Sequence, residues 1–484
     1  MQVSTSLKNQ HLLWRSGFGV SQSQQKFLAK TKTSDLVDAI FKNSHAAPRK
    51  IDVTDSEMNT MQKEMQDATP GDVMAGTTQA QRQKFREKST QSIRMLNEEW
   101  IDLMVKSEAQ LREKTALFWH GHFACRSLNI YYQQGLLHEI RTNALGNFRT
   151  LLKSVSKTAA MIFFLNNQQN KKGSPNENFA REVMELFTMG RGNYTEQDIK
   201  EAARAFTGWT AQLNGDFLFR PLLHDAGQKT FLKKTGNFTG DDIIEILLEQ
   251  PQTAMYICKK MYKFYVNETI NEDHLKWLTK RFFDSNYDIT QLLKDIFYSD
   301  WFYDAKNIGS QIKSPILLLC GMRRQLDLKF EKPISEKTIQ QLLGQILFFP
   351  PNVAGWPGDK NWIDSSSLMF RMQLPQLILR NEAIELHSKQ DDDIQMGMKE
   401  NQLYNAGKNN LTLFSATINW NNFFTTLGIS TDKDWIENIA ERILQKELDG
   451  NKIKVIGNLS NSNASDYRQQ VIAAIMSTPE YQLC

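Results

Sequence analysis

Cysteine is scarce in this chain and widely scattered. The 484 residues contain 4 of them, Cys125, Cys258, Cys320 and Cys484. None lies within reach of a C-x-x-C pair, and there is no dense disulfide framework, so they read as reduced and mostly buried thiols. Long apolar runs are also missing. The polar start, Met1 to Asn9, leads directly into His11-Leu12-Leu13-Trp14-Arg15, and no stretch is apolar for long enough to span a bilayer. Neither a signal core nor membrane insertion is expected, and the reading is cytoplasmic. A block of like charge is absent too: 58 Lys and Arg are interleaved with 54 Asp and Glu for a net charge of +4. A basic face for nucleic acid is therefore disfavoured. The Walker loop, the Rossmann glycine fingerprint, the G-x-S-x-G elbow and H-E-x-x-H do not occur, which removes the common nucleotide and hydrolase machines.

What is present is an ordinary globular composition, 40% hydrophobic and 23% charged, with apolar residues mostly at helical spacing. The expected fold is all-α, one large domain over residues 1–484 with a small β-hairpin insertion. Helices are predicted over Gln79 to Lys106, Ala109 to Trp119, Ile130 to Asn143, Phe148 to Phe164, Asn178 to Met189, Glu196 to Phe206 and Gln252 to Val266, among others. Thr195-Glu196-Gln197-Asp198 reads as a capping box. Residues 46–78, broken by Pro48 and Pro70, read as a surface excursion, and 390–408 as surface-like. Residues 209–232 break the helical pattern. Trp209 to Leu213, Asn214-Gly215 and Asp216 to Phe219 form a strand, turn and strand signal suited to a type I′ turn, followed by a loop through His224.

Four clusters could carry chemistry. Only 8 histidines occur in the chain, and two of them, His120 and His122, flank Gly121 among aromatics. On a continuous helix, positions i and i+2 diverge by about 200°, so one ion could not hold both rings. A shared site requires the helix to end near Trp119, an ending that Gly121 makes plausible. The plainer alternative is one packed and one solvated histidine. Glu182 and Glu185 lie on one helical face, in a ladder with Glu177 and Arg181; they suit a divalent cation or an acid and base pair, or else an ion-paired surface. His224-Asp225 with Lys229 could be an oriented imidazole beside an anion-binding ammonium, or a solvated loop. Phe349 to Gly358, with Trp356 and the following Trp362, must pack its tryptophans against core or ligand.

Taken in order, Phe118-Trp119-His120-Gly121-His122-Phe123, Asn176 to Gly192, His224-Asp225-Ala226-Gly227-Gln228-Lys229 and Pro350 to Gly358 resemble the bacterial domain-of-unknown-function family 1800, from about His11 to the C-terminus. The resemblance implies a mostly helical single-domain protein and brings no assigned activity. It also implies a neighbouring gene product similar to the phosphatase and sulfatase superfamily as a partner. Lys233 stands where relatives often have glycine. The expectation is a shared polar pocket in which His120, His122, Glu182 and Glu185 bind a divalent metal of unspecified identity. His224, oriented by Asp225, would act as acid or base, with Lys229 or Arg181 pairing an anionic substrate group. The reaction would be metal-assisted hydrolysis of an anionic or polysaccharide substrate. The alternative is a non-catalytic binding or scaffold protein.

Overall fold

A computed structural model describes residues 3–67, 79–380, 414–428, 434–458 and 466–484. The expected surface stretch at 390–408 and the latter part of the 46–78 excursion lie outside these residues. The chain is mainly helical with three small two-stranded antiparallel sheets. The predicted helices at Gln79–Lys106 and Ile130–Asn143 form with the expected bounds, and the one expected over Gln252 to Val266 forms as Pro251–Tyr265. Thr195 caps Glu196–Ala205 in a reciprocal box with Asp198, its hydroxyl accepting from Asp198 N at 3.1 Å. All four cysteines are buried and unpaired, and no described helix is long and apolar enough to cross a membrane.

Several elements depart from the pattern reading. Thr5–Ser16 is a helix whose Asn9, Gln10, His11 and Arg15 are as buried as Leu12 and Trp14. Its buried polar side chains face inward, where distant carbonyls accept from some of them: Leu28 O from Asn9 at 2.7 Å and Asn307 O from Arg15 at 2.9 Å. The apolar run from Phe148 is two helices, Phe148–Ser156 and Ala159–Phe164, because the Thr158 hydroxyl caps the second by accepting from Met161 N. The early part of the 46–78 excursion contains a helix, Ser56–Asp67, anchored by buried Met58.

The hairpin pairs β1, Trp209–Ala211, with β2, Phe217–Phe219, in the register Trp209↔Phe219. Its turn differs from the type I′ expected. Only Gly215 has positive φ, +98°, and Gly215 N donates to Gln212 O at 3.0 Å. That is a type I turn closed by a left-handed glycine. A second hairpin follows at once, β3, Lys229–Phe231, with β4, Lys234–Gly236. Its two turn residues are Leu232 and Lys233, both with positive φ, 44° and 67°. The third sheet joins β5, Lys329–Phe330, to β6, Ala416–Thr417.

Candidate functional site

The helix carrying the paired histidines spans Gln110–His122 and does not stop at Trp119. Phe123 N still donates to Trp119 O at 2.8 Å, so both histidines are helical and their rings leave on opposite sides. His120 stacks on Trp356, with ring centroids 5.5 Å apart and planes at 18°, and meets Trp100 and Phe348 edge-on. His122 reaches Phe187 O at 3.1 Å through Nε2 and Lys260 Nζ at 3.1 Å through Nδ1. The condition for a metal held by both imidazoles is therefore not met. Gly121 does not act as a helix stop; its carbonyl is the surface against which the 350–358 loop closes. A Cβ on Gly355, whose φ is +83°, would lie 2.4 Å from Gly121 O.

Burial pushes His120 down to about 3, with its Nδ1 enclosed and unpartnered. Burial, and then the charge of Lys260, hold His122 well below the usual histidine range. An ammonium can only donate, so His122 Nδ1 accepts and its Nε2–H donates to the Phe187 carbonyl. This is a neutral imidazole in a defined tautomer.

The other expected site residues serve local ion pairs and backbone staples. Arg181 pairs bidentately with Glu196, at 3.0 and 2.8 Å, and with Glu177 at 3.2 Å. Glu185 pairs with Arg191 and accepts from the Tyr194 hydroxyl at 2.8 Å. Glu182 is half-buried and raised from the usual glutamate range, by burial first and then by Glu185. His224 is oriented by Thr207, whose carbonyl lies 2.9 Å from Nδ1. Asp225 does not orient it, because the Asp225 oxygens go to Arg204 at 2.7 and 3.3 Å and to Gly227 N at 2.9 Å. Lys229 is buried, and its ammonium ties the loop by donating to the carbonyls of Asp225 at 2.6 Å and Gly227 at 2.9 Å. Among the described residues, no three His, Cys, Asp or Glu side chains come together as a metal-binding group. The four residues expected to share a metal are thus not gathered around one centre.

What the fold does assemble is a cavity of about 310 Å³ where the first and fourth motifs meet. The Gln110–His122 helix contributes Lys114, Phe118 and His122, which at spacings of four share one face. Lys260 enters from Pro251–Tyr265, and Trp356 and Trp362 from the glycine and proline loop. Of the eight site residues expected from sequence, only His122 lines this space. Burial lowers both Lys114 and Lys260 to about 8. Neither lysine pairs with a carboxylate among the described residues, whereas their neighbour Lys263 is paired with Glu268. Lys114 would have been legible had the helix been carried to His122, since it begins the same face. Lys260 carries no motif, and its 138-residue separation from His122 hides it from any local pattern.

A family model described as "Protein of unknown function (DUF1800)" matches residues 11–483. The chain belongs to that family. No curated protein matches it, and no solved structure does.

Proposed function

We propose that the chain binds an anionic substrate of saccharide type in the cavity between the Gln110–His122 helix and the Trp356 loop. The observation that carries this reading is Lys260. Its ammonium lies in the cavity wall, half-buried, and its polar partner is a neutral imidazole 3.1 Å away. A cation held without a counter-charge in a partly desolvated wall attracts an anionic group from solution. Trp356 and Trp362 add aromatic surface that suits a sugar ring. Hydrolysis of the bound substrate, the finer form of this reading, would draw on Lys260 as the proton donor at the wall, because both ring nitrogens of His122 are already engaged and His224 is not among the residues lining the cavity.

The test is tryptophan fluorescence titrated with galacturonate and, separately, with galactose. The acid is expected to give a saturable change and the neutral sugar none. Lys260→Ala should weaken the acid at least tenfold, about 1.4 kcal/mol. Equal responses to the two sugars, or unchanged affinity in the variant, would sink the reading.

A further inference from the structure

Lys114 lies at the other end of the same helical face. It is 3% exposed, and one of its three donors has an acceptor, Trp14 O at 3.4 Å. The ammonium sits 5.5 Å from the Phe18 ring centroid and 5.3 Å from that of Phe264. Burial acts on it most; an opposing attraction from Cys484 comes next, then the like charge of Arg15 and a smaller attraction from Cys320, and Lys114 makes no salt bridge among the described residues. Cation–π contact offsets only part of the burial cost of an ammonium and leaves its remaining donors unmet. Between Lys114 and the Lys260–His122 contact, the cavity wall is aromatic, formed by Phe118. Lys114 and the His122 end of the Lys260 contact lie eight residues apart on one helix face, about 12 Å of helix rise.

We propose that Lys114 is a second anion-binding point, so that the cavity prefers a saccharide carrying two negative groups, one met by Lys260 and the other by Lys114. This rests on the anion-binding reading above and goes further by fixing the number and spacing of charges on the ligand. The shared chemistry is two anionic oxygen groups across one or two sugar rings, either carboxylates or phosphates.

The experiment is titration calorimetry of the full chain with galacturonate, digalacturonate and glucose 1,6-bisphosphate. At least one dianion is expected to bind tenfold or more tightly than galacturonate, and whichever does so assigns carboxylate or phosphate. Lys114→Met should bring that dianion down to the galacturonate level and leave galacturonate itself within about twofold. Because the substitution removes an unpaired buried charge, it should also raise Tm by about 2–4 °C. Lys114→Gln should behave alike in binding and guards against misfolding of the first variant. If galacturonate binds but no dianion exceeds it, the second point is overturned while the Lys260 reading stands. Failure of all three ligands overturns both. A lowered Tm in both variants with the dianion preference intact would make Lys114 a structural cation and end the proposal.

Discussion

Asp225 divides its carboxylate between Arg204, on both nitrogens at 2.7 and 3.3 Å, and the Gly227 amide. The Arg204 hydrogen bond is the largest cause holding its carboxyl down at about 2, against an ordinary value of 3.8. A folded-state value below the unfolded one means that the unfolded chain binds the proton first as pH falls. The stabilisation is therefore complete above about 4 and is lost between there and about 2. A shift of this size corresponds to about 2 kcal/mol. Asp225→Asn is expected to lower the urea midpoint at pH 6 by an amount equivalent to 1–2 kcal/mol, and the gap to wild type should close as pH drops below about 4. A gap that is constant with pH would show that the carboxylate does not act through Arg204. The same residue illustrates what neighbouring letters in a sequence conceal. Asp225 adjoins His224, yet its partner is Arg204, 21 residues away, because adjacent side chains on an extended loop point to opposite sides.

At the scale of elements, the β3–β4 hairpin turns on Leu232 and Lys233, at φ 44° and 67°. A side-chain-bearing residue in the left-handed region costs roughly 1–2 kcal/mol relative to its ordinary conformation, and glycine escapes most of that. Lys233 is exposed, so little packing is lost on truncation. Lys233→Gly is accordingly expected to raise stability by about 1 kcal/mol, read as an increase in urea midpoint at unchanged m-value. A decrease would mean that the lysine side chain makes a compensating contact. The position was legible as one where relatives often have glycine; the turn that gives glycine its advantage was not, since β3 and β4 are only three residues each. Helix existence was legible nearly throughout, because apolar spacing over ten or more residues is a strong signal. The site depended on a boundary instead. Gly121 reads as a helix stop, but Phe123 N completes one more turn to Trp119 O, and this three-residue extension sends His120 and His122 in opposite directions. Gly355 supplies the missing reason for a compact motif, since its lack of a Cβ lets the loop backbone close on Gly121 O.

For the whole molecule, contacts join segments that are remote in sequence, which is why the cavity could not be read locally. Gln10 Nε2 donates to Glu441 O at 3.0 Å, Arg371 to Lys313 O at 2.9 Å, and Lys313 to Tyr481 O at 2.6 Å. Lys313 is itself clasped between the rings of Trp14 and Tyr481, at 3.9 and 3.8 Å from their centroids. The N-terminal helix, the 307–314 segment and the last helical turns are thereby linked, and most of the buried hydrophobic residues among those described form one cluster that reaches from Leu12 to Cys484. If opening any one of these segments exposes the others, partial unfolding forfeits buried area without releasing a proportionate amount of chain entropy, so intermediates are disfavoured. Heating is therefore expected to produce a single calorimetric transition whose van't Hoff and calorimetric enthalpies agree to within about 10–20%. The cavity spans the Gln110–His122 helix, Lys260 and the Trp356 loop, so a ligand that binds it should shift that one transition upward as a whole. Two resolved transitions, with the ligand moving only one of them, would show instead that the cavity belongs to a separately folding part of the chain.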